Sequence, residues 1–283
     1  MKKSMAKTAV CALALAGVCS LAACGETLNI GKEYVAATDQ LGALMKLDKG
    51  EADVAVIDSV MAGYYTSTGD YATKMQIVDN LVLAEESYGI AAKKENKALM
   101  SKINEALIAL RTTEYEDLLV EYNLKASAAL TAETVDTYAG ATDASWTELV
   151  NSGTLVIGYT EFAPIAYKDG DNWTGFDIEL AKDTVNYLNT KYSVDIDVEF
   201  LLIDWNTKEA KLEDGTIDLV WNGMTITPER SAQMCVSVPY LYNKQVAVIL
   251  KSDAAKFTSK DSMKDAIMTA EKGSAGESVI NKK

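Results

Sequence analysis

Histidine is absent from this chain of 283 residues. Because histidine is the commonest metal ligand and general base in proteins, its absence argues against zinc hydrolases and histidine-based catalytic triads. Cysteine is also scarce, since three of the four cysteines lie within the first 24 residues and only Cys235 follows them. Cys235 alone cannot form an internal disulfide, and we predict that it is a buried small apolar residue. We predict neither a bound metal nor a cofactor.

The apolar run from Ala9 to Cys24 follows three lysines and is too short for a membrane span. It holds about 15 residues, whereas a helix that crosses the hydrocarbon core needs roughly 20. Lysines followed by a run of this length are typical of a secretory signal. We therefore predict export and separate residues 1–25 from the rest of the fold.

The end of that run, LAAC from Leu21 to Cys24, resembles the lipobox of bacterial lipoproteins. The resemblance implies that Cys24 becomes the lipidated first residue of the mature protein. This protein would then be extracytoplasmic and lipid-anchored to the outer face of the cell membrane, with no other membrane contact. The alternative is ordinary cleavage, with Cys24 incidental.

Basic residues are fewer than acidic ones, with 27 Lys and Arg against 41 Asp and Glu. Removal of residues 1–25 with their three lysines changes the formal charge from −14 to −17. A strongly acidic surface argues against nucleic acid as a partner and favours solubility outside the cell.

Two stretches far apart in the chain repeat one pattern, KLDKGEADVAVID at Lys46–Asp58 and KLEDGTIDLVWNG at Lys211–Gly223. Each reads as the end of a helix, a left-handed glycine that terminates it, and a short apolar strand. Strands that are apolar at every position are covered on both faces, as in parallel α/β sheets. The pattern predicts an α/β chain with two similar units, although chance can produce such a connection twice.

The two predicted strands end on polar residues, Asp58 in one and Asn222 with Gly223 in the other. Ligands of open α/β sheets bind outside the carboxyl ends of the strands. Two such ends that face each other across a cleft would form a binding site.

Residues 153–250 resemble the first half of the family 3 solute-binding proteins, the amino-acid receptors of bacterial ABC importers. The strand and aromatic loop GTLVIGYTEFAPIAY and the helix start GFDIELAKDTVNYL carry the resemblance, and WNGMTITPER at Trp221–Arg230 is its most specific part. The resemblance implies a two-lobed periplasmic-binding-protein-like (type II) Venus-flytrap fold of the α/β class.

The order of the segments differs from that of the family. The stretch that resembles the family's later lobe-two unit, EYVAATDQLGALMKLDKGEADVAVID, comes first, and the helices that resemble its last ones precede residue 125. We therefore predict a circularly permuted chain, in which the Ala- and Thr-rich Lys125–Ala144 joins the old ends. A rearranged reading frame is the alternative. The predicted segments are 1–25 signal and lipid attachment, 26–87 lobe two, 88–124 return crossing and C-terminal-type helices of lobe one, 125–144 linker, 145–246 lobe one, and 247–283 lobe two.

The resemblance also implies how a free amino acid is held. The guanidinium of Arg230 would pair with the ligand carboxylate, together with backbone N–H groups of Ser274 and Ala275. Ala275 replaces a threonine of many relatives, so a hydroxyl contact is lost there. Asp58 would take the ammonium, with Gly223 and Thr225 from the other lobe. The alternatives are a helix N-cap for Asp58 and a surface ion pair for Arg230.

Phe162 and Trp205 match the aromatic positions that flank the ligand side chain in the family. Glu161 and Asn222 are candidates for specificity. The implied function is capture of a free, polar amino acid by a monomer and its delivery to the permease of an ABC importer, without catalysis. The alternatives are an enzyme on the same fold, either a dehydratase or a peptidoglycan lyase, and a sensory lipoprotein that presents ligand.

Overall fold

The computed structural model describes residues 28–69 and 71–281, so the predicted signal and Cys24 lie outside the described part. Its strands are β1 Glu33–Ala37, β2 Val54–Asp58, β3 Met75–Lys93, β4 Thr154–Tyr159, β5 Tyr167–Asp169, β6 Asn172–Thr174, β7 Asp197–Leu202, β8 Leu219–Thr225, β9 Met234–Val236, β10 Leu241–Leu250 and β11 Ile267–Glu271. The helices are α1 Gln40–Asp48, α2 Ser59–Ser67, α3 Tyr71–Lys74, α4 Lys97–Leu110, α5 Glu114–Glu121, α6 Ser145–Ser152, α7 Phe176–Tyr192, α8 Lys208–Asp214, α9 Pro228–Gln233 and α10 Ala275–Ile280.

Strand pairing divides the molecule into two lobes that share one mixed sheet. The order is β1-β11-β2-β10-β3-β8-β4-β7, with β9 beside β3 and a separate hairpin of β5 and β6. At one end β1, β11 and β2 are parallel, and at the other β7, β4 and β8 are parallel. We call the first group with α1, α2 and α10 lobe two, and the second group with α4 to α9 lobe one.

The antiparallel strands β3 and β10 join the lobes. β10 pairs with β2 of lobe two and with most of β3, and β3 continues to pair with β8 of lobe one. The ladder of β10 and β3 is irregular between Gln245 and Val248, and that of β3 and β8 is irregular between Gly89 and Ala91. These register shifts lie in the two strands that connect the lobes.

The repeated sequence pattern folds as predicted in both lobes. Gly50 and Gly215 adopt φ +72° and +77° after α1 and α8, a region that glycine enters without steric cost. The strands that follow, β2 and β8, are buried at every position. In each unit an aspartate before the strand accepts a backbone N–H from the neighbouring strand. Asp53 accepts from Ile267 at 2.8 Å, and Asp218 accepts from Val156 at 2.8 Å.

Residues 125–144 contain only a short 3-10 helix, Lys125–Ser127, as regular structure, yet they are attached to lobe one. The carboxylate of Asp136 accepts from Ser101 Oγ at 2.6 Å and from Asn104 Nδ2 at 2.7 Å. The Tyr138 hydroxyl accepts the backbone N–H of Val236 at 3.2 Å. The segment therefore follows the surface of lobe one instead of extending as a free tether.

Candidate functional site

The carboxyl ends of β2, β8 and β11 meet at a cavity between the lobes. All ten sequence-predicted binding and specificity residues line it: Asp58, Glu161, Phe162, Trp205, Asn222, Gly223, Thr225, Arg230, Ser274 and Ala275. Gln40, Thr160 and Glu271, which the sequence analysis did not identify, complete the lining. Strand-end geometry thus brings together residues that are up to 217 positions apart in the sequence, from Asp58 to Ala275.

The lobes lie close together around this cavity. The volume open to the centre of a water molecule is about 10 Å³, which corresponds to a single water. An amino acid is much larger than that. Access to the cavity therefore requires the two lobes to separate, and β3 and β10 are the strands that connect them.

Asp58 is the most fully hydrogen-bonded acid of the site. It is 5% exposed, and its carboxylate accepts from the side-chain amides of Gln40, Asn243 and Gln245. Its backbone N–H donates to Gln40 Oε1 at 2.9 Å. Burial, with the nearby carboxylate of Glu86 as a second cause, raises the pKa of Asp58 to about 7. Asp58 precedes α2 but makes no side-chain capping bond, so the alternative N-cap role is not seen.

Two amides of β10 tie Asp58 to the connecting strands. Asn243 Nδ2 and Gln245 Nε2 each donate to Asp58 and also to Glu86 Oε2 of β3, the latter at 3.1 and 3.0 Å. Glu86 Oε2 further accepts from Thr225 Oγ1 of lobe one at 3.1 Å. A change in the charge of Asp58 therefore alters hydrogen bonds that involve both connecting strands, β3 and β10.

Arg230 reaches the cavity from α9, whose N-cap Thr227 accepts the Arg230 backbone N–H at 3.1 Å. Its guanidinium donates to the carbonyls of Thr225 at 2.8 Å and of Gly273, in lobe two, at 3.2 Å. Lys208 Nζ donates to the same Gly273 carbonyl at 3.3 Å, so two cations of lobe one contact one carbonyl of lobe two. Burial lowers the pKa of Arg230, and within the described residues no carboxylate lies within 4 Å of it. The alternative surface ion pair is not formed.

The turn that follows β11 supplies the other groups of the predicted carboxylate site. The Ser274 hydroxyl caps α10 by accepting the Glu277 N–H at 3.2 Å. The Ser274 N–H already donates to the Glu271 carbonyl at 3.2 Å. A ligand carboxylate must therefore share or replace that bond.

Gly223 is fixed by a close contact with the aromatic wall of the site. Its φ is +60°, and a Cβ there would lie 2.6 Å from Phe162 Cε1 and 3.2 Å from Tyr88 Cε2. Its N–H donates to Asp177 Oδ2 at 2.9 Å. Phe162 and Tyr88 contact each other edge to face with ring centroids 6.4 Å apart. Only glycine allows the aromatic ring to approach the strand so closely.

Of the three lining residues that were not predicted, only Glu271 has a recognisable sequence pattern. Glu271 ends the apolar strand IMTAE, the same signal that identified Asp58. Thr160 accepts from Asn222 Nδ2 at 2.8 Å, a contact that no local sequence pattern indicates. Gln40 is the first residue of α1, and its contact with Asp58 depends on how that helix packs on β2.

The described residues contain no group of three or more metal-ligating side chains that could hold a metal ion. None of the described helices combines the length and apolar character that a membrane crossing requires.

The sheet topology and the cavity at the strand ends define a two-lobed α/β protein of the type II periplasmic-binding-protein class. Residues 155–274 match the model of the bacterial extracellular solute-binding proteins, family 3.

Known relatives match only part of the chain. The arginine-binding extracellular protein ArtP of Bacillus subtilis is 37% identical over 108 residues, which cover 38% of this chain and 40% of ArtP. Cyclohexadienyl dehydratase of Pseudomonas aeruginosa is 25% identical over 124 residues, covering 43% of this chain and 44% of that enzyme. The chain thus spans about two fifths of the length of these relatives.

Among solved structures, a polar amino acid ABC uptake transporter substrate binding protein from Streptococcus thermophilus is 38% identical. The match covers 35% of this chain and 36% of that protein, with a TM-score of 0.28.

Proposed function

We propose that this protein captures a free, polar amino acid between its lobes and delivers it to an ABC importer. The observation that carries the proposal is a cavity lined both by buried Asp58 of lobe two and by partly buried Arg230 of lobe one. A zwitterion offers one charge to each of these groups. The family match of residues 155–274 and the similarity to ArtP support the same reading.

In the proposed complex each end of the ligand replaces contacts that the protein now makes internally. Arg230 turns from the carbonyls of Thr225 and Gly273 to the ligand carboxylate, a planar group that a guanidinium binds through two parallel hydrogen bonds. Asp58 accepts from the ligand ammonium, with the Gly223 carbonyl and Thr225 hydroxyl as further acceptors. Since the ligand contacts both lobes only when they are close, binding favours the closed arrangement.

A thermal-shift screen against the twenty amino acids tests the proposal. A ligand at 100 times its dissociation constant adds about 2.7 kcal/mol to the free energy of unfolding. We expect a clear rise in the melting temperature with one chemical group of amino acids. No stabilisation by any of the twenty would contradict the proposed function.

An enzyme is the second candidate, because the dehydratase shares part of the sequence. Such an enzyme needs a general acid or base beside the substrate, and Glu161 is, with Glu271, one of two lining carboxylates that neither the ammonium nor the carboxylate site uses. Turnover of a prephenate-like or glycan substrate would favour the enzyme. A sensory role would instead require a separate protein partner that recognises the liganded form.

We also propose that the protein is lipid-anchored outside the cell and that its chain is circularly permuted, with the domain limits given above. Lipid on Cys24 would hold the protein at the outer face of the membrane, and labelling with a radioactive fatty acid tests this against a Cys24→Ala control. A permuted order is supported by the position of lobe two, which is built from segments on both sides of lobe one in the sequence. We propose that the protein acts as a monomer.

A further inference from the structure

With all its acidic side chains ionised, the lining of the cavity carries more negative than positive charge. Three carboxylates, those of Asp58, Glu161 and Glu271, face one guanidinium, that of Arg230. A zwitterion with a neutral side chain brings no net charge and leaves this excess uncorrected. A ligand with an additional positive charge would reduce it.

Of the two lining acids that the proposed zwitterion contacts leave unused, Glu161 is exposed, and Glu271 is the buried one. It ends β11 at 3% exposure, and its Oε1 is buried without a hydrogen-bond partner. In the described part of the chain no lysine or arginine nitrogen lies within 4 Å of it. A buried acceptor left in this state costs free energy, so the position gains from a ligand donor.

Lys208 and Arg230 attract Glu271 through space but form no ion pair with it, since their nitrogens are bonded elsewhere. Lys208 Nζ donates to the carbonyls of Trp205 at 3.1 Å and Gly273 at 3.3 Å and pairs with Glu209 at 3.1 Å. Asp58 and Asp39 both act on Glu271 from lobe two, and Asp204 acts on it from lobe one. Burial and these acids raise the pKa of Glu271 well above its usual value, and the charge of Lys208 opposes this shift.

A second buried acceptor on the cavity wall points to the same chemistry. Asn222 donates through Nδ2 to Thr160, while its Oδ1 is buried and has no partner. Asn222 is 3% exposed. Unpaired oxygens on both lobes match a ligand side chain that carries several N–H donors.

We propose that Glu271 accepts the side-chain cation of a basic amino acid and makes the cavity selective for arginine- or lysine-like ligands. This inference rests on the proposed function, because it assumes that Asp58 and Arg230 hold the backbone charges. Arg230 and the turn at Ser274 would bind the ligand carboxylate. Amines that lack a carboxylate should therefore bind more weakly than basic amino acids.

Calorimetry with arginine and citrulline tests the proposal, since citrulline has nearly the same shape but a neutral side chain. We expect the parent protein to bind arginine at least tenfold more tightly than citrulline. Glu271→Gln should reduce that ratio to about twofold or less, because the carboxylate is lost while the volume is kept. Glu33→Gln, which removes an exposed charge of the same lobe, is the control and should keep the parent ratio.

Proton release provides a measurement that a purely structural role for Glu271 would not change. Titrations in buffers of different ionisation enthalpy should show that arginine releases more protons than citrulline from the parent, by up to about one. The difference should disappear in Glu271→Gln.

Several results would overturn the inference. Equal affinity of the parent for arginine and citrulline would do so without any variant, even if Glu271→Gln failed to fold. An unchanged ratio in folded Glu271→Gln, or agmatine binding as tightly as arginine, would also contradict it. Tight binding of neutral amino acids alone would contradict this inference but leave the proposed function intact. Binding of no amino acid at all would contradict both the inference and the proposed function.

Discussion

The role of Asp58 and Arg230 depends on where the fold places their side chains. The sequence also allowed a helix N-cap for Asp58 and a surface ion pair for Arg230. In the structure both side chains line the same cavity. Removal of one partner from a buried, hydrogen-bonded charge contact costs about 2–5 kcal/mol. The strength of the site therefore depends on a few side chains.

We predict that Asp58→Ala and Arg230→Ala each abolish detectable amino-acid binding while the fold survives. The reason is that each removes the only oppositely charged partner proposed for one end of the zwitterion, in a cavity with almost no space for water. Calorimetry measures the affinity and circular dichroism checks the fold. Glu51→Gln, at an exposed pair with Lys46 in the same lobe, is the control. Affinities of both alanine variants within a few-fold of the parent would exclude this site.

The ammonium site should also respond to pH. The pKa of Asp58 is raised to about 7 in the empty cavity, so below pH 7 it holds a proton that a cationic group must displace. We predict that affinity weakens as the pH falls below about 7, by up to about tenfold per pH unit. Calorimetry between pH 5.5 and 8 measures this. An affinity independent of pH over that range would show that an ionised Asp58 is not required.

The strands and turns were more predictable than the contacts between them. The helix, left-handed glycine and buried strand could be read at Gly50 and Gly215 because each depends only on local residue types. The acid at the end of β2 was equally visible. Gln40 was not, because its bond to Asp58 depends on the packing of α1, and packing partners are not encoded within a short window of sequence.

Gly223 within β8 gives a prediction at the level of the element. Gly223→Ala places a Cβ at φ +60° and 2.6 Å from Phe162, so backbone strain and overlap add. We expect a loss of about 1–3 kcal/mol in the free energy of unfolding.

Gly63→Ala is the matched control, since Gly63 lies in α2 with no atom within 4 Å of a Cβ there. That change should be neutral or stabilise by up to about 1 kcal/mol. Urea denaturation of both variants measures the difference. Equal stabilities would mean that the strand moves away from Phe162 without cost.

At the scale of the whole molecule, the two lobes share a hydrogen-bond arrangement as well as a sequence pattern. Asp53 and Asp218 hold equivalent positions before β2 and β8, and each accepts an N–H from the adjacent parallel strand. The apolar runs after Gly50 and Gly215 predicted those strands, but they could not predict that β3 and β10 would carry the network from Asp58 through Glu86 to Thr225. That network joins residues from four strands, and only the completed sheet brings them together.

Each lobe also buries a carboxyl group whose pKa is about 7, Asp58 in lobe two and Asp177 in lobe one. Burial is the main cause for Asp177, whose Oδ2 accepts from Tyr240 Oη at 2.7 Å and whose Oδ1 has no partner. Because the folded-state pKa lies above the unfolded value of about 4, the folded protein holds more protons between these values. The contribution to stability is full below pH 4, falls as the pH rises to about 7, and is constant above it.

We therefore predict that Asp177→Asn gains stability relative to the parent as the pH rises from 5 to 7. Asparagine has the shape of the protonated acid and can still accept from Gly223 and Tyr240, but it has no charge to bury. The difference in unfolding free energy should grow by up to about 1.4 kcal/mol per pH unit and level off above pH 7. Urea denaturation at pH 5, 6, 7 and 8 measures it, with exposed Asp48→Asn as the control. Parallel stability curves for Asp177→Asn and the parent would show that Asp177 stays ionised within lobe one across this range.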